Sequence, residues 1–216
     1  MELDLRYLKE HPDIVWEHTV EHLQLSVTAL AIALPIAIML GLLAVRFRWL
    51  TTPVITAVSV LYTIPSIALL AFLIPSQGIG QRPALIMLVL YAQLFLVRNI
   101  VAGLNGVDPD ILEAGRGLGM NELQLFRKVW LPLALPVIMA GVRTGLVTTI
   151  SLATIAGWVN AGGLGELMFQ GIARLYGSMV LVGVIAVTIL SLSIDLVLRA
   201  LERLTPVARA NRAAST

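Results

Sequence analysis

Residues 113–132 read EAGRGLGMNELQLFRKVWLP, a charged and glycine-broken connector set between two long apolar runs. Upstream, Asp108 and Pro109 have the form of a helix start, with the aspartate capping free amides and the proline fitting the first helical position. From there Ile111, Ala114 and Leu118 fall on one face at helical spacing, while Glu113 and Arg116 point elsewhere. Gly117 and Gly119 are expected to end this short helix. Asn121, with Gln124 three residues on, predicts a second helix opened by a capping box, which carries Leu125, Phe126 and Val129 toward Leu131 and Pro132. The pattern is a helix-turn-helix presented outside a bilayer; an amphipathic connector lying in the membrane interface has the same periodicity.

The flanking composition decides the class. Of 216 residues, 58% are hydrophobic and 13% charged, and the mean hydropathy is +0.89. A soluble domain carries about a quarter of its residues as charges, so the chain is expected to be an all-α polytopic membrane protein. A hydrocarbon core of about 30 Å takes about 20 apolar residues per helix. Five stretches meet this: Leu23–Val45, Pro53–Ile74, Pro83–Leu104, Pro132–Ala156 and Ser178–Leu198, with a turn expected at Pro75–Gly80. With the N-terminus outside, the inner segments hold Arg46, Arg48, Arg116, Arg127, Lys128, Arg199, Arg203, Arg209 and Arg212, and the outer ones Arg6, Lys9, Arg82 and Arg174. Nine against four favours an outer N-terminus and a cytoplasmic C-terminus. This divides the chain into an extracytoplasmic segment 1–22, a membrane domain 23–204 with a cytoplasmic loop 108–131, and a cytoplasmic tail 205–216. The acidic first 21 residues lack a basic n-region, so a cleaved signal peptide is not expected. Zero cysteines exclude disulfides and thiolate chemistry.

Glu113, Ala114, Gly119, Val129, Leu131 and Pro132, at their spacing, resemble the signature loop of binding-protein-dependent ABC importer permeases, with Gly115 in place of a second alanine. Three more stretches, YTIPSIALLAFLIP (62–75), VRNIVAGLNGVDPDILEAGRGLG (97–119) and SLATIAGWVNAGGLG (151–165), are similar to permeases of osmoprotectant importers for glycine betaine, carnitine and choline. The resemblance implies a type I importer permease fold in a bacterial cytoplasmic membrane, with a short helix that docks on a cytoplasmic ATPase. Glu113, Ala114, Gly119, Leu131 and Pro132 would then serve the coupling, and Gly115 would remove one methyl from the docking face. The implied partners are ABC ATPase subunits, a periplasmic or extracellular solute-binding protein, and a second copy or a related permease. ATP and magnesium would be bound by the ATPase partner and not by this chain. A permease for an amino acid or another small solute is the nearest rival, and a passive pore a further one.

The spans themselves suggest where solute passes. Glycines, prolines and hydroxylic residues in a spanning helix are tolerated where helices pack closely or line a watery cavity. Candidates for the pathway are Tyr62, Thr63, Pro65, Ser66, Tyr91, Gln93, Thr144 and Thr148, the tyrosines offering a cation–π face worth about 0.5–2 kcal/mol. Arg143 is the one charge deep in a span, a candidate either for meeting a solute carboxylate or for a structural partner. Asp195 and Arg199, spaced i, i+4, are expected to pair. Gly162, Gly163 and Gly165, outside spans four and five, are expected to form an outer gate or a plain turn. Trp16, Trp49, Trp130 and Trp158 fall near span ends, the ordinary place for interfacial anchors. His11, His18 and His22 with Glu21 lack an evident further metal ligand, so no metal site is expected. No G-x-x-x-x-G-K-[ST] loop occurs, so ATP hydrolysis by that route is excluded for this chain. Nucleic acid is not an expected partner.

Overall fold

In a computed structural model the described residues are 5–204, and they are almost wholly helical. The expected tail 205–216, with Arg209 and Arg212, and the first four residues lie outside the described part. The elements are α1 (Arg6–Glu10), α2 (Pro12–Arg46), α3 (Arg48–Thr63), α4 (Ser66–Gln77), α5 (Gln81–Asn105), α6 (Pro109–Gly117), α7 (Glu122–Leu125), α8 (Leu131–Ala156), α9 (Gly163–Ala173) and α10 (Gly177–Leu204). One turn of π-helix, Phe126–Trp130, joins α7 to α8, and one 3-10 turn, Gly157–Val159, follows α8. Among the described residues four helices are long and apolar enough to cross a membrane, and the bent pair α3–α4 makes a fifth crossing if counted as one span.

Three boundaries differ from those read in the sequence. The first span does not begin at Leu23: α2 is one helix of 35 residues, about 52 Å long at 1.5 Å per residue. Pro12 fits its first turn, and nothing in HTVEHLQ breaks it, so the polar segment before residue 23 is largely the N-terminal end of the spanning helix. The second span is not continuous either. It breaks at Ile64–Pro65, and α3 and α4 meet at 91°. Pro65 has no amide to continue the ladder and drives the residue before it out of helical geometry; Ile64 accordingly has φ −65° and ψ 128°. The expected turn at Pro75–Gly80 is shorter, since Pro75 lies inside α4 and the chain turns only at Gly78–Gly80.

Helix α5 runs through the centre, packed by α2, α3, α4 and α8. Without a hydrophobic drive between helices in lipid, close approach of small residues supplies the dispersion contacts. The inner face of α2 is such a stripe: Ala29, Ala33, Ala37 and Ala44 are fully buried, and a methyl on Gly41 would sit 2.5 Å from Ile100 Cγ2. On the other side, α8 presses on α5 where Gly141 faces the Cβ of Asn99. One apolar cluster, including Leu70, Met87, Leu88 and Ala153, fills the α9 end of the bundle. A second, including Leu96, Val97, Ile100 and Ala134, fills the α6 end.

Candidate functional site

The connector 106–131 folds as the capping signals dictate. Asp108 Oδ1 accepts from the Asp110 amide at 2.9 Å, and Pro109 opens α6. At its far end the Gly119 amide donates to Arg116 O at 2.9 Å and the Met120 amide to Gly115 O at 3.3 Å, the paired bonds of a Schellman stop. Gly119 carries the left-handed residue, with φ +79°; Gly117 remains inside α6. Asn121 and Gln124 then form the reciprocal box, at 3.0 and 2.9 Å. The Arg116 Nε to Glu122 Oε1 ion pair, 3.1 Å, ties the two arms across the stop.

The face formed by Ile111, Ala114 and Leu118 is outward: Ile111 is 45% and Leu118 80% exposed, and Ala114 and Glu113 are exposed beside them. Gly115 is not part of it. It is buried against Leu125, and a methyl there would stand 2.5 Å from Leu125 Cδ1. The absent methyl therefore lets the hairpin close and removes nothing from the outward face. Leu131 and Pro132 are also apart from Glu113 and Ala114, half-buried at the join between the π turn and α8. From Glu122 to Val159 the backbone is one unbroken helical run, so the hairpin is spliced directly onto a spanning helix. Trp130, expected as an interfacial anchor, does more: its Nε1 donates to Leu104 O at 2.8 Å, fastening the start of α8 to the end of α5. Trp16, Trp49 and Trp158 are exposed, as anchors should be.

Of the pathway candidates, Tyr62, Thr63, Pro65, Ser66 and Tyr91 gather at the α3–α4 break. The rings of Tyr62 and Tyr91 lie 5.5 Å apart, and Phe95 meets Tyr62 edge-on at 5.4 Å. The Tyr91 hydroxyl donates to the Ile64 carbonyl. Tyr91 is buried and Tyr62 only partly so, which leaves Tyr62 as the ring with an open side. Gln93 does not join them. It is buried between helices, its amide donating to Ala33 O and Val89 O at 3.1 Å each. On α8, Thr144, Thr148 and Ser151 share one face at i, i+4, i+7 and are exposed or half-exposed, a polar stripe on a spanning helix.

Arg143, beside that stripe, has in-chain partners. Its Nη1 lies 3.0 Å from Asp195 Oδ1 and its Nε 2.9 Å from Glu202 Oε1. Asp195 also takes the expected pair with Arg199, at 2.7 Å. The four formal charges cancel, which is how ionisable groups persist at such depth.

The glycines 162, 163 and 165 form a packed knot. The Gly163 amide donates to Glu21 Oε2 at 2.9 Å, and that of Gly162 to Glu166 Oε2 at 3.0 Å. Gly165 abuts α8 so closely that a Cβ would fall 2.2 Å from Thr154 O, and Gly157 meets Gly165 in turn. A plain turn would leave these residues exposed; Gly163 and Gly165 are buried. His22, placed by the sequence on a polar segment, is fully buried and donates from Nε2 to Ile150 O at 2.9 Å. His18 instead lies 3.1 Å from Glu21 Oε2. Among the described residues no group of three His, Cys, Asp or Glu side chains is placed to hold a metal ion.

Residues 33–205 match the family described as binding-protein-dependent transport system inner membrane component. The carnitine transport permease protein OpuCB of Listeria monocytogenes is 41% identical over 96% of this chain and 96% of its own. The choline transport system permease protein OpuBB of Bacillus subtilis is 40% identical over 87% of each. The osmoprotectant import permease protein OsmW of Salmonella typhimurium is 39% identical over 92% of this chain and 94% of its own. Among solved structures, a chain of the MetNI methionine ABC transporter in an inward-facing conformation superposes with a TM-score of 0.72 at 27% identity, over 87% of this chain and 95% of that one. A chain of an amino acid ABC transporter crystallised with histidines shares the fold, with a TM-score of 0.78 at 17% identity over 94% and 99%. With its α6 hairpin spliced onto a spanning helix and a family match across most of its length, the chain belongs to the inner membrane components of binding-protein-dependent transport systems and is a permease subunit of an ABC importer.

Proposed function

We propose that this permease carries an osmoprotectant such as glycine betaine, carnitine or choline into the cytoplasm of a bacterium, lying in its cytoplasmic membrane with the N-terminus outside and α6 inside. The observation that carries the mechanism is the α6 hairpin: an outward apolar face of Ile111 and Leu118 flanked by Glu113, capped at both ends and continuous with α8. An ATPase subunit docks on that face and binds the ATP and magnesium; the chain itself is non-catalytic. A solute-binding protein delivers solute at the α9 end, beneath which the Gly162–Gly165 knot acts as the outer gate. A second copy or a related permease completes the pathway, to which the Thr144–Thr148 stripe and the open side of Tyr62 contribute. The substrate class rests on the relatives' names, OpuCB, OpuBB and OsmW being permeases for carnitine, choline and osmoprotectants. The orientation rests on the lysine and arginine distribution.

The test is uptake of labelled glycine betaine, choline and carnitine in cells lacking other uptake systems, with and without an inactivated ATPase partner. Uptake of at least one that stops with the ATPase is expected. Uptake that persists without ATP hydrolysis, or competition by an amino acid alone, overturns the reading.

A further inference from the structure

We propose that Arg143, through Asp195 and Glu202, is the positioning residue that makes the inner half of α10 move with α8, so that the stroke received by the α6 hairpin reaches a second spanning helix. The proposal rests on the coupling reading of that hairpin and extends it.

Helix α10 is held very differently along its two halves. Near its start Ser178, Met179, Val182 and Gly183 are buried, and Gly183 abuts Met168 of α9 so closely that a Cβ would lie 2.4 Å from Met168 Cγ. After Gly183 no described residue of α10 is buried. In that second half two bonds from Arg143 reach across from α8, to Asp195 at 3.0 Å and to Glu202 at 2.9 Å. The acceptors are seven positions apart on α10, so one guanidinium grips points about two turns apart on one face of the helix. A planar fork with several fixed donors can do this; an ammonium, a single point charge, grips one. Arg199 on Asp195 Oδ2 balances the set to zero net charge, and Arg143, Asp195 and Glu202 are half-buried, their side chains 21–23% exposed. Charge-assisted bonds at 2.7–3.0 Å hold their partners in a fixed geometry and resist being pulled apart. From Glu122 the backbone runs without a break through the π turn into α8, so displacement of the hairpin displaces Arg143, and the ion pairs drag α10 about its packed outer half.

This geometry also changes what Arg143 is expected to do with solute. A guanidinium already shared by two carboxylates has little left to offer a third, so its loss should affect zwitterionic and cationic solutes alike.

The experiment uses the complete transporter, reconstituted with its ATPase and loaded binding protein, and counts ATP hydrolysed per labelled choline and per labelled glycine betaine taken up. Arg143→Gln is expected to cut uptake of both by about tenfold while hydrolysis falls less, raising the ATP cost per solute. Because the chain has no cysteine, Arg143→Cys with Asp195→Cys can be bridged by a short thiol-specific cross-linker beside an ATPase subunit free of reactive cysteines. Bridging is expected to restore most of the uptake that the unbridged pair loses. A bridge that arrests transport would mean the helices must separate, and overturns the proposal. So does an Arg143→Gln transporter with an unchanged ATP-to-solute ratio, or one impaired for glycine betaine only, which would put Arg143 on the solute carboxylate. If Arg143→Gln does not assemble, the bridged pair decides. Absence of ATP-dependent uptake in the unsubstituted transporter counts against the coupling reading, which separates the two failures.

Discussion

The Tyr91 hydroxyl donates to the carbonyl of Ile64, the residue whose chain direction changes where α3 gives way to α4. Pro65 removes the amide that would have continued the helix, and α5 supplies from across the bundle a donor for the carbonyl at the break. The aromatic pair Tyr62–Tyr91 is thus held at the bend by a bond that a phenylalanine cannot make. Tyr91→Phe should keep the ring packing and destabilise the chain by about 1–2 kcal/mol, the cost of one poorly satisfied carbonyl. Thermal unfolding in detergent reads this directly. A Tyr91→Phe protein as stable as the parent would mean the bend stands on Pro65 alone.

Two glycines in the hairpin should respond in opposite ways. Gly119 has φ +79° with open space around its Cβ position, so alanine there meets no clash but must adopt the left-handed backbone, at about 1 kcal/mol or more. Gly117 is helical and equally open, so alanine there should stabilise α6 by about 0.5–1 kcal/mol. Co-purification of the ATPase subunit should weaken for Gly119→Ala and hold for Gly117→Ala. The reverse order would sever docking from the Schellman stop.

What could be read beforehand was local. Hydropathy located the spans, and the Asn121–Gln124 box was legible because both partners lie three residues apart. The same held for Asp195 with Arg199, one helical turn apart. Arg143 reads as a deep charge, yet its carboxylates lie on α10, and nothing in periodicity pairs side chains across 52 and 59 residues. The resemblance puts Gly115 on the docking face, and helical spacing alone does not say which side of α6 meets Leu125. Hydropathy alone runs the second span through Pro65, since a proline in a spanning helix can produce anything from a slight kink to a right angle; the 91° outcome involves Tyr91, on another helix. His22 reads as one of three histidines on a polar segment, and nothing local shows that it alone turns inward to face α8.

The α1 segment offers a pH test outside the spans. Burial pushes the Tyr7 hydroxyl above its ordinary value, opposed by nearby Arg174, and the Tyr7 amide is bonded to Ser178 Oγ at 3.1 Å. A raised folded value means the stabilisation is complete below the unfolded value of about 10 and is lost as pH climbs through the folded one. Alkaline titration should therefore detach α1 above about pH 10, read as tyrosinate absorbance together with proteolytic cleavage near His11. Tyr7→Phe should remove that alkaline step while leaving the neutral-pH fold in place. An unaltered step in Tyr7→Phe would assign it to another group.

The contact between α8 and α9 should be the least forgiving in the molecule. At Gly165 an added Cβ would lie 2.2 Å from Thr154 O and 2.7 Å from its Cα, both backbone atoms that no rotamer change can move. Gly157 meets the same crossing from the other side, 2.1 Å from Gly165 C. Overpacking against side chains costs about 1–3 kcal/mol, and a backbone obstacle should sit at or beyond the top of that range. Gly165→Ala should thus separate α9 from α8 and pull the Gly162 and Gly163 amides off Glu166 and Glu21. The expected outcome is a protein that inserts but unfolds at markedly lower temperature, and in which a cysteine placed at the buried Ala161 becomes reactive to a membrane-impermeant thiol reagent added from outside. If Gly165→Ala keeps full stability and such a cysteine stays protected, the close crossing is not what holds the knot, and the outer gate must be sought elsewhere.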